Sequence, residues 1–368
     1  MERQELEAVR AEAQRVRAVM AQARTRGQRQ REAAIAAATS EGAALAAHTP
    51  ALWPDRRATD TGPYVQPLRP DWLALLRALQ PCGPLMALTR NDSVVHEKVG
   101  VYENLSAEGG VGLALGRDID LRLFFQHWQA GFAVSDAPGE VPRSIQIFDD
   151  TGQAVHKIFV RPNSDTRAWQ SALAPFLDEG RLPSVFLASR DADDDRGESS
   201  CDAAEFLHAW SQMTDTHEFF GLLKRFGVSR WQAMQLARGH YTERKAPSAV
   251  ERLLQAAAFE GEPIMVFVGN RGCIQIHTGP VRRVETLDLH GQTWVNVLDE
   301  GFNLHLLLDD VDSCWVVRKP TVDGEVTSLE VYDRRGRCVA MLFGARKPGQ
   351  PESGAWRGLL RALEEVTA

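Results

Sequence analysis

A chain of 368 residues, 44% apolar and 25% charged, has the composition of a globular protein with a sizeable core and room for two or three domains. Its net charge of −7 excludes a global electrostatic grip on nucleic acid, so no DNA partner is expected. Five scattered cysteines (Cys82, Cys201, Cys273, Cys314, Cys338), with no CxxC pair, argue against a disulfide scaffold or a zinc ribbon and suit a reducing cytosol.

The N-terminal stretch "MERQELEAVRAEAQRVRAVMAQARTRGQRQREAAIAAA" mixes Ala, Arg and Glu without an apolar run. It predicts a solvated helix rather than a secretory signal, with an RNA-binding or targeting role for "RTRGQRQR" as the alternative. No segment approaches membrane-spanning length, so no membrane insertion is expected.

From residue 84 onward the chain contains itself twice. "GPLMALTRN" (83–91) lies on "EPIMVFVGN" (262–270), with Pro84 over Pro263, Met86 over Met265 and Asn91 over Asn270. "DLRLFFQHWQAGFAV" matches "NLHLLLDDVDSCWVV", "SIQIFDDTGQAVHKIF" matches "SLEVYDRRGRCVAMLF", and Trp169 falls over Trp356. A fainter match lays "RGQRQREAA" (26–34) on "FGVSRWQAM" (226–234). Alternation at Ile145 and Ile147, and at Leu329 and Val331, predicts strands, with "DDTG" and "DRRG" as hairpin turns.

The expected fold is therefore α+β: two tandem repeats, each with helices followed by a largely antiparallel β-sheet. The N-terminal repeat spans 1–180, with a helical lead-in 1–80, a sheet 84–160 and a helix 165–177. An acidic linker covers 181–202, and 203–368 forms the C-terminal repeat. "SRDADDDRGESS" (189–200) has alternating aspartates like a calcium loop, but Arg196 stands where the turn glycine belongs, so a flexible linker is the reading.

Motifs for common chemistries are absent. "GGVGLALG" (109–116) lacks a following helix, and "HEKVG" and "HEFFG" lack the second histidine of a zinc protease. No G-x-S-x-G elbow or P-loop appears. "TDTHEFFGLLKRFG" (214–227) is more informative. Asp215 and Glu218 predict a capping box, Phe219, Leu222, Leu223 and Phe226 an apolar stripe, and Gly227 the stop. Ser229 and Gln232 open the next helix. His217 falls at the second helical position, where the helix dipole favours a neutral imidazole. Locally that histidine reads as a capping or surface residue or as a metal ligand. With no partner at i+4, the metal open to it is iron already held in a porphyrin.

"MTDTHEFFGLLKRF", "IMVFVGNRGCIQIHTGPV", "WVVRKPTVDGEVTSLEVYD" and "DLRLFFQHW" together resemble the bacterial haemin-degrading and haemin-transport family of the HemS/ChuS/PhuS type. The likeness runs from about residue 70 to the C-terminus. It implies a cytoplasmic protein of haem uptake and iron utilisation that binds one haem between two repeats and either degrades it oxidatively or hands it on. The axial ligand then falls on His217 and the distal, catalytic arginine on Arg122. Pocket positions fall on Arg230, His277, Lys319 and Phe343. His277 stands where the enterobacterial pattern has phenylalanine, and Phe343 where it has tyrosine. His277 is thus open to three roles: second ligand, distal hydrogen-bond donor or polar strand residue. Implied partners are an inner-membrane haem transporter, a haem oxygenase or an electron donor. Arg17 stands at the repeat position of His217, and His305 at that of Arg122, so the halves do not offer equivalent ligands and one haem per chain is expected. The alternatives are a non-enzymatic carrier and, from another class, a protein- or RNA-interaction module without haem.

Overall fold

The computed structural model describes residues 3–54, 62–181, 186–187, 195–197, 201–346 and 349–364. Most of the segment read as a linker lies outside them. Backbone contacts divide the chain into two compact units. Unit 1 comprises Met1–Thr89, Lys98–Asp191 and Asn270–Ile274; unit 2 comprises Arg90–Glu97, Ala192–Gly269 and Gln275–Ala368.

The first half of the chain forms α1 (Arg3–Thr25), α2 (Gln30–Ala36), α3 (Glu41–Ala46), β1 (Tyr64–Pro67), α4 (Trp72–Ala78), β2 (Leu85–Arg90), β3 (Val94–Gly100), β4 (Leu105–Glu108), β5 (Val111–Leu115), β6 (Asp120–Phe124), β7 (Ala130–Ser135), β8 (Ser144–Phe148), β9 (Ala154–Val160) and α5 (Thr166–Leu173). The second forms α6 (Ala203–Ser211), α7 (Glu218–Phe226), α8 (Arg230–Leu236), β10 (Thr242–Lys245), α9 (Ala249–Glu260), β11 (Ile264–Gly269), β12 (Cys273–Gly279), β13 (Val284–Leu289), β14 (Gln292–Asp299), β15 (Phe302–Leu307), β16 (Val311–Thr321), β17 (Gly324–Asp333), β18 (Cys338–Gly344) and α10 (Gly354–Arg361).

Within unit 1 the strands run antiparallel in the order β1-β7-β8-β9-β2. β4, β5 and β6 form an antiparallel meander. Unit 2 repeats both patterns as β10-β16-β17-β18-β11 and β13-β14-β15. The α+β fold with two tandem repeats is the one expected.

The duplication reaches individual hydrogen bonds. In the β8–β9 turn, Asp149 Oδ1 accepts from the backbone N–H of Thr151 and Gln153, and Gly152 turns at φ 78°. In the β17–β18 turn, Asp333 Oδ1 accepts from Arg335 and Arg337, and Gly336 turns at φ 78°. Each hairpin carries an irregularity beside its turn, at Ile147/Phe148 and at Val331/Tyr332. α1 and α7 end alike, with Gly27 and Gly227 left-handed and the N–H of Gln28 and Val228 bonded back to Ala23 and Leu223, each at 3.1 Å. The faint helical match at 26–34 is therefore structural.

The two cores differ at a buried polar cluster. In unit 1, His156 Nδ1 and Thr89 Oγ1 are 2.9 Å apart, His156 Nε2 and Tyr102 Oη 2.7 Å, and Thr89 Oγ1 and Cys273 Sγ 3.4 Å, all buried. The repeat counterparts of His156, Thr89, Tyr102 and Cys273 are Ala340, Val268, Val281 and Val94, all within the apolar core of unit 2. Burial pushes the His156 imidazole down to about 3, so the ring is neutral.

Candidate functional site

The start of α7 differs from the sequence expectation. The helix begins at Glu218, and His217 is its N-cap residue rather than its second helical residue. The cause is local. Glu218 turns back on Thr214, accepting from its N–H at 3.0 Å and its hydroxyl at 2.8 Å. Asp215 Oδ1 is taken by His217, from its backbone N–H at 2.8 Å and with its ring Nδ1 at 2.6 Å. The bonds from the His217 backbone and ring lower the Asp215 pKa, so this carboxylate stays ionised and can only accept. The shared proton therefore lies on Nδ1, which in the neutral tautomer leaves the lone pair on Nε2. The His217 side chain is 93% exposed, so that lone pair is free to meet a ligand.

Apolar side chains stand exposed on this segment and on the β16–β17 turn bonded to it. Phe220 is 74% exposed, and so is Val322 at 81%, whose N–H bonds Thr214 O at 2.9 Å. Phe219, part of the predicted apolar stripe, is an interior ring.

That ring underlies the charged part of the site. The Arg230 guanidinium carbon lies 5.0 Å from the Phe219 centroid, and Lys319 Nζ lies 4.5 Å from it. Lys319 Nζ is also 6.0 Å from the Phe343 centroid. Both cations converge on Glu330, which is wholly buried. It accepts from Arg230 Nε at 2.7 Å and Nη2 at 3.0 Å, from Lys319 Nζ at 2.9 Å and from Tyr332 Oη at 2.8 Å. Burial by itself raises the Glu330 carboxyl. The adjacent Arg230 and Lys319 charges outweigh it and hold the group well below the usual carboxylate range. Burial draws Lys319 down, with Glu330 opposing it. Two cations and one anion leave a surplus positive charge, and Arg230, at 27% exposed, carries it toward solvent.

Three sequence-selected residues, Arg230, Lys319 and Phe343, are thus brought together. His277 is not among the contacts of this cluster: it is buried on β12 and stacks flat on Phe302, with centroids 3.8 Å apart. Arg122 sits on β6 of unit 1, paired with Asp120 beside it and bonded to Leu121 O at 3.3 Å.

Sequence reasoning missed Glu330, Tyr332 and Arg346. The first two were readable: Ser328, Glu330 and Tyr332 alternate along β17, so a carboxylate shares the inward face of a strand whose neighbours are apolar. Arg346 follows β18, lies 3.8 Å from Asp323 and acts electrostatically on Asp215, which no spacing signalled. The repeat supplies a control. Gln30 and Gln146 stand at the positions of Arg230 and Glu330 and form a neutral bond of 2.9 Å. The Arg–Glu pair belongs to the C-terminal repeat; in the N-terminal one Gln30 also donates to Glu41 at 3.0 Å, and Glu41 pairs with the buried Lys157.

The haemin-degrading HemS/ChuX domain matches residues 55–176 and 227–363. This chain belongs to that family. The hemin transport protein HemS of Yersinia enterocolitica is 40% identical over 298 residues, 80% of this chain and 85% of that protein. Holo-PhuS, a heme-binding protein from Pseudomonas aeruginosa, is similar at TM-score 0.85 and 41% identity, over 96% of this chain and 99% of its own. The heme-degrading enzyme ChuS of Escherichia coli O157:H7 is similar at TM-score 0.80 and 34% identity, over 96% and 99%. Membership of the HemS/ChuX family agrees with the sequence resemblance. Among the described residues no helix is long and apolar enough to cross a membrane.

Proposed function

We propose that this chain binds haem through His217 Nε2 and serves haem uptake and iron utilisation. The observation that carries the reading is the Asp215–His217 pair: an ionised carboxylate fixes the Nδ1–H tautomer of an imidazole whose side chain is 93% exposed. Such a carboxylate raises ligand basicity and orients the ring toward a metal. The other residues fit the same ligand. Phe220 and Val322 offer apolar surface to a macrocycle, and the Arg230–Lys319–Glu330 cluster offers one surplus positive charge to a propionate. Arg122 has guanidinium nitrogens beyond the one on Asp120 and is the proposed distal donor. His277 is retained as a pocket candidate, and its stacking on Phe302 supports the strand-residue role.

When bound, haem supplies an iron centre with redox and oxygen chemistry; the chain supplies binding, orientation and charge. We read it as a cytoplasmic protein taking one haem, with a transporter, a haem oxygenase or an electron donor as partner. The repeats are proposed to span 1–180 and 203–368, joined by 181–202. Names of relatives in the HemS/ChuX family, from hemin transport to heme degradation, support this reading.

The test is a haemin titration of the full chain and of His217→Ala. A 1:1 endpoint with a Soret shift in the wild type, and loss of the histidine-ligated spectrum in the variant, is expected. An identical spectrum in both rejects the site. An aerobic assay with ascorbate and catalase then separates the two activities: a Soret band that decays to a bilin-like product indicates degradation, and a persistent complex indicates delivery.

A further inference from the structure

The N-terminal repeat has its own version of the helix face that carries His217. α1 and α7 end at equivalent glycines, and α2 and α8 start at equivalent caps: Arg29 N–H bonds Glu32 at 3.0 Å, and Ser229 N–H bonds Gln232 at 2.7 Å. Arg17, Ala21 and Arg24 on α1 therefore correspond to His217, Gly221 and Lys224. The connections beyond α2 and α8 differ. Residues 237–241 alone connect α8 to β10, whereas residues 37–63, including α3, stand between α2 and β1. His48, Trp53 and Gly62 of that longer connection line, with Arg17, Ala21 and Arg24, a half-open cavity of about 320 Å³.

We propose that this cavity in the N-terminal repeat is a binding site for a small anion of the phosphate or carboxylate class. Two guanidiniums line it, two turns apart on one helix, and the planar guanidinium is the side chain best matched in shape to an oxyanion. Trp53 forms an aromatic wall: its Nε1 is fixed on Ala47 O at 2.8 Å, and the Arg17 guanidinium carbon lies 4.5 Å from its ring centroid. Packing around Arg24 withdraws water from its charge, a cost that Asp136 offsets in part and that a bound anion offsets directly. Asp136 is itself paired with Arg143 at 3.1 Å. The cavity lies at the low end of ligand-pocket volumes, of order 300–1,000 Å³, and suits a small metabolite rather than a porphyrin. Arg17 at the ligand position cannot hold iron, because a guanidinium is always protonated. One copy of the helix face thus carries the proposed metal-ligand imidazole, and the other lines an arginine-bearing pocket.

The experiment is calorimetric titration of the full chain in chloride buffer with inorganic phosphate and, separately, with citrate. Saturable 1:1 binding of phosphate or of citrate is expected, and the one that binds assigns the class. Arg24→Gln is expected to weaken it roughly tenfold or more, the loss of one charge-assisted hydrogen-bonding group. The haemin titration of the same variant is expected to match the wild type, which shows an intact fold. Arg17→Gln gives the same reading if Arg24→Gln does not fold. Neither probe binding above the chloride background, or equal binding by the substituted and wild-type chains, overturns the site whatever the outcome at His217.

Discussion

Glu330→Gln tests whether one buried carboxylate organises the charged part of the site. In the wild type its two oxygens accept four hydrogen bonds, from Arg230, Lys319 and Tyr332. The amide removes the charge and turns an N–H₂ donor toward groups that are themselves donors. Lys319 is only 3% exposed, so it keeps an uncompensated charge or loses its proton; Arg230 reaches water and recovers part of the loss. Breaking a buried pair costs about 3–5 kcal/mol, and the access of Arg230 places this case near about 3 kcal/mol. With an unfolding entropy of about 2.1 cal/mol/K per residue, that is a fall of about 4 °C in Tm if all 368 residues melt together, and about twice that if unit 2 melts alone. Calorimetry at pH 7 measures it. The folded pKa of Glu330 is depressed, so its contribution is present above the unfolded value of about 4.3 and is lost as pH falls through the folded one. The gap between wild type and variant should therefore be constant from about pH 5 upward and narrow below about pH 4. A gap under about 1 kcal/mol at pH 7, the worth of an exposed pair, refutes the reasoning, as does a gap that widens on acidification.

Asp215→Asn should leave stability nearly unchanged, because the pair is exposed, and should weaken haemin binding roughly 10- to 100-fold by loosening the imidazole tautomer; an unaltered haemin titration removes Asp215 from the site. His156, held near 3, lies below its ordinary value of about 6.5, so the wild type should lose stability as pH falls from about 6.5 toward 3. His156→Ala should flatten that limb in urea denaturation, and an unchanged slope shows that His156 does not set it. Asn270 Oδ1 accepts from the N–H of Gly272 and Cys273 while its Nδ2 donates to Val155 O, and Asn91 does the same for Ser93, Val94 and Val339. Asn270→Ala and Asn91→Ala should each cost roughly 1–3 kcal/mol, and matched losses in Tm test whether the turns are energetic equivalents.

Much was legible because duplication writes the same local rules twice. Asp149 and Asp333 appear in the sequence as turn signals and in the structure as acceptors for two backbone N–H groups. Trp169 and Trp356, matched by the last block, are both wholly buried. Local competition limited the reading at His217. The Thr214–Glu218 bonds and the Asp215–His217 bonds use the same few residues that a capping box would use, and only three-dimensional geometry selects between them.

The sequence by itself determined the repeat, its general run from helices into strands, the turn positions and the helix that His217 caps, but not β1 (Tyr64–Pro67) inside the helical lead-in or β10 ahead of α9. These follow from spacing of 2 or 3.6 residues and from glycines where the backbone must turn left-handed, all of which are local. Only tertiary structure decided that Arg230 and Lys319 share Glu330, that Phe219 lies beneath them, and that Arg17 and Arg24 line one cavity with Trp53. The physical reason is that a charge 100 residues away becomes a partner only when sheet register turns its strand face toward the helix that holds the other.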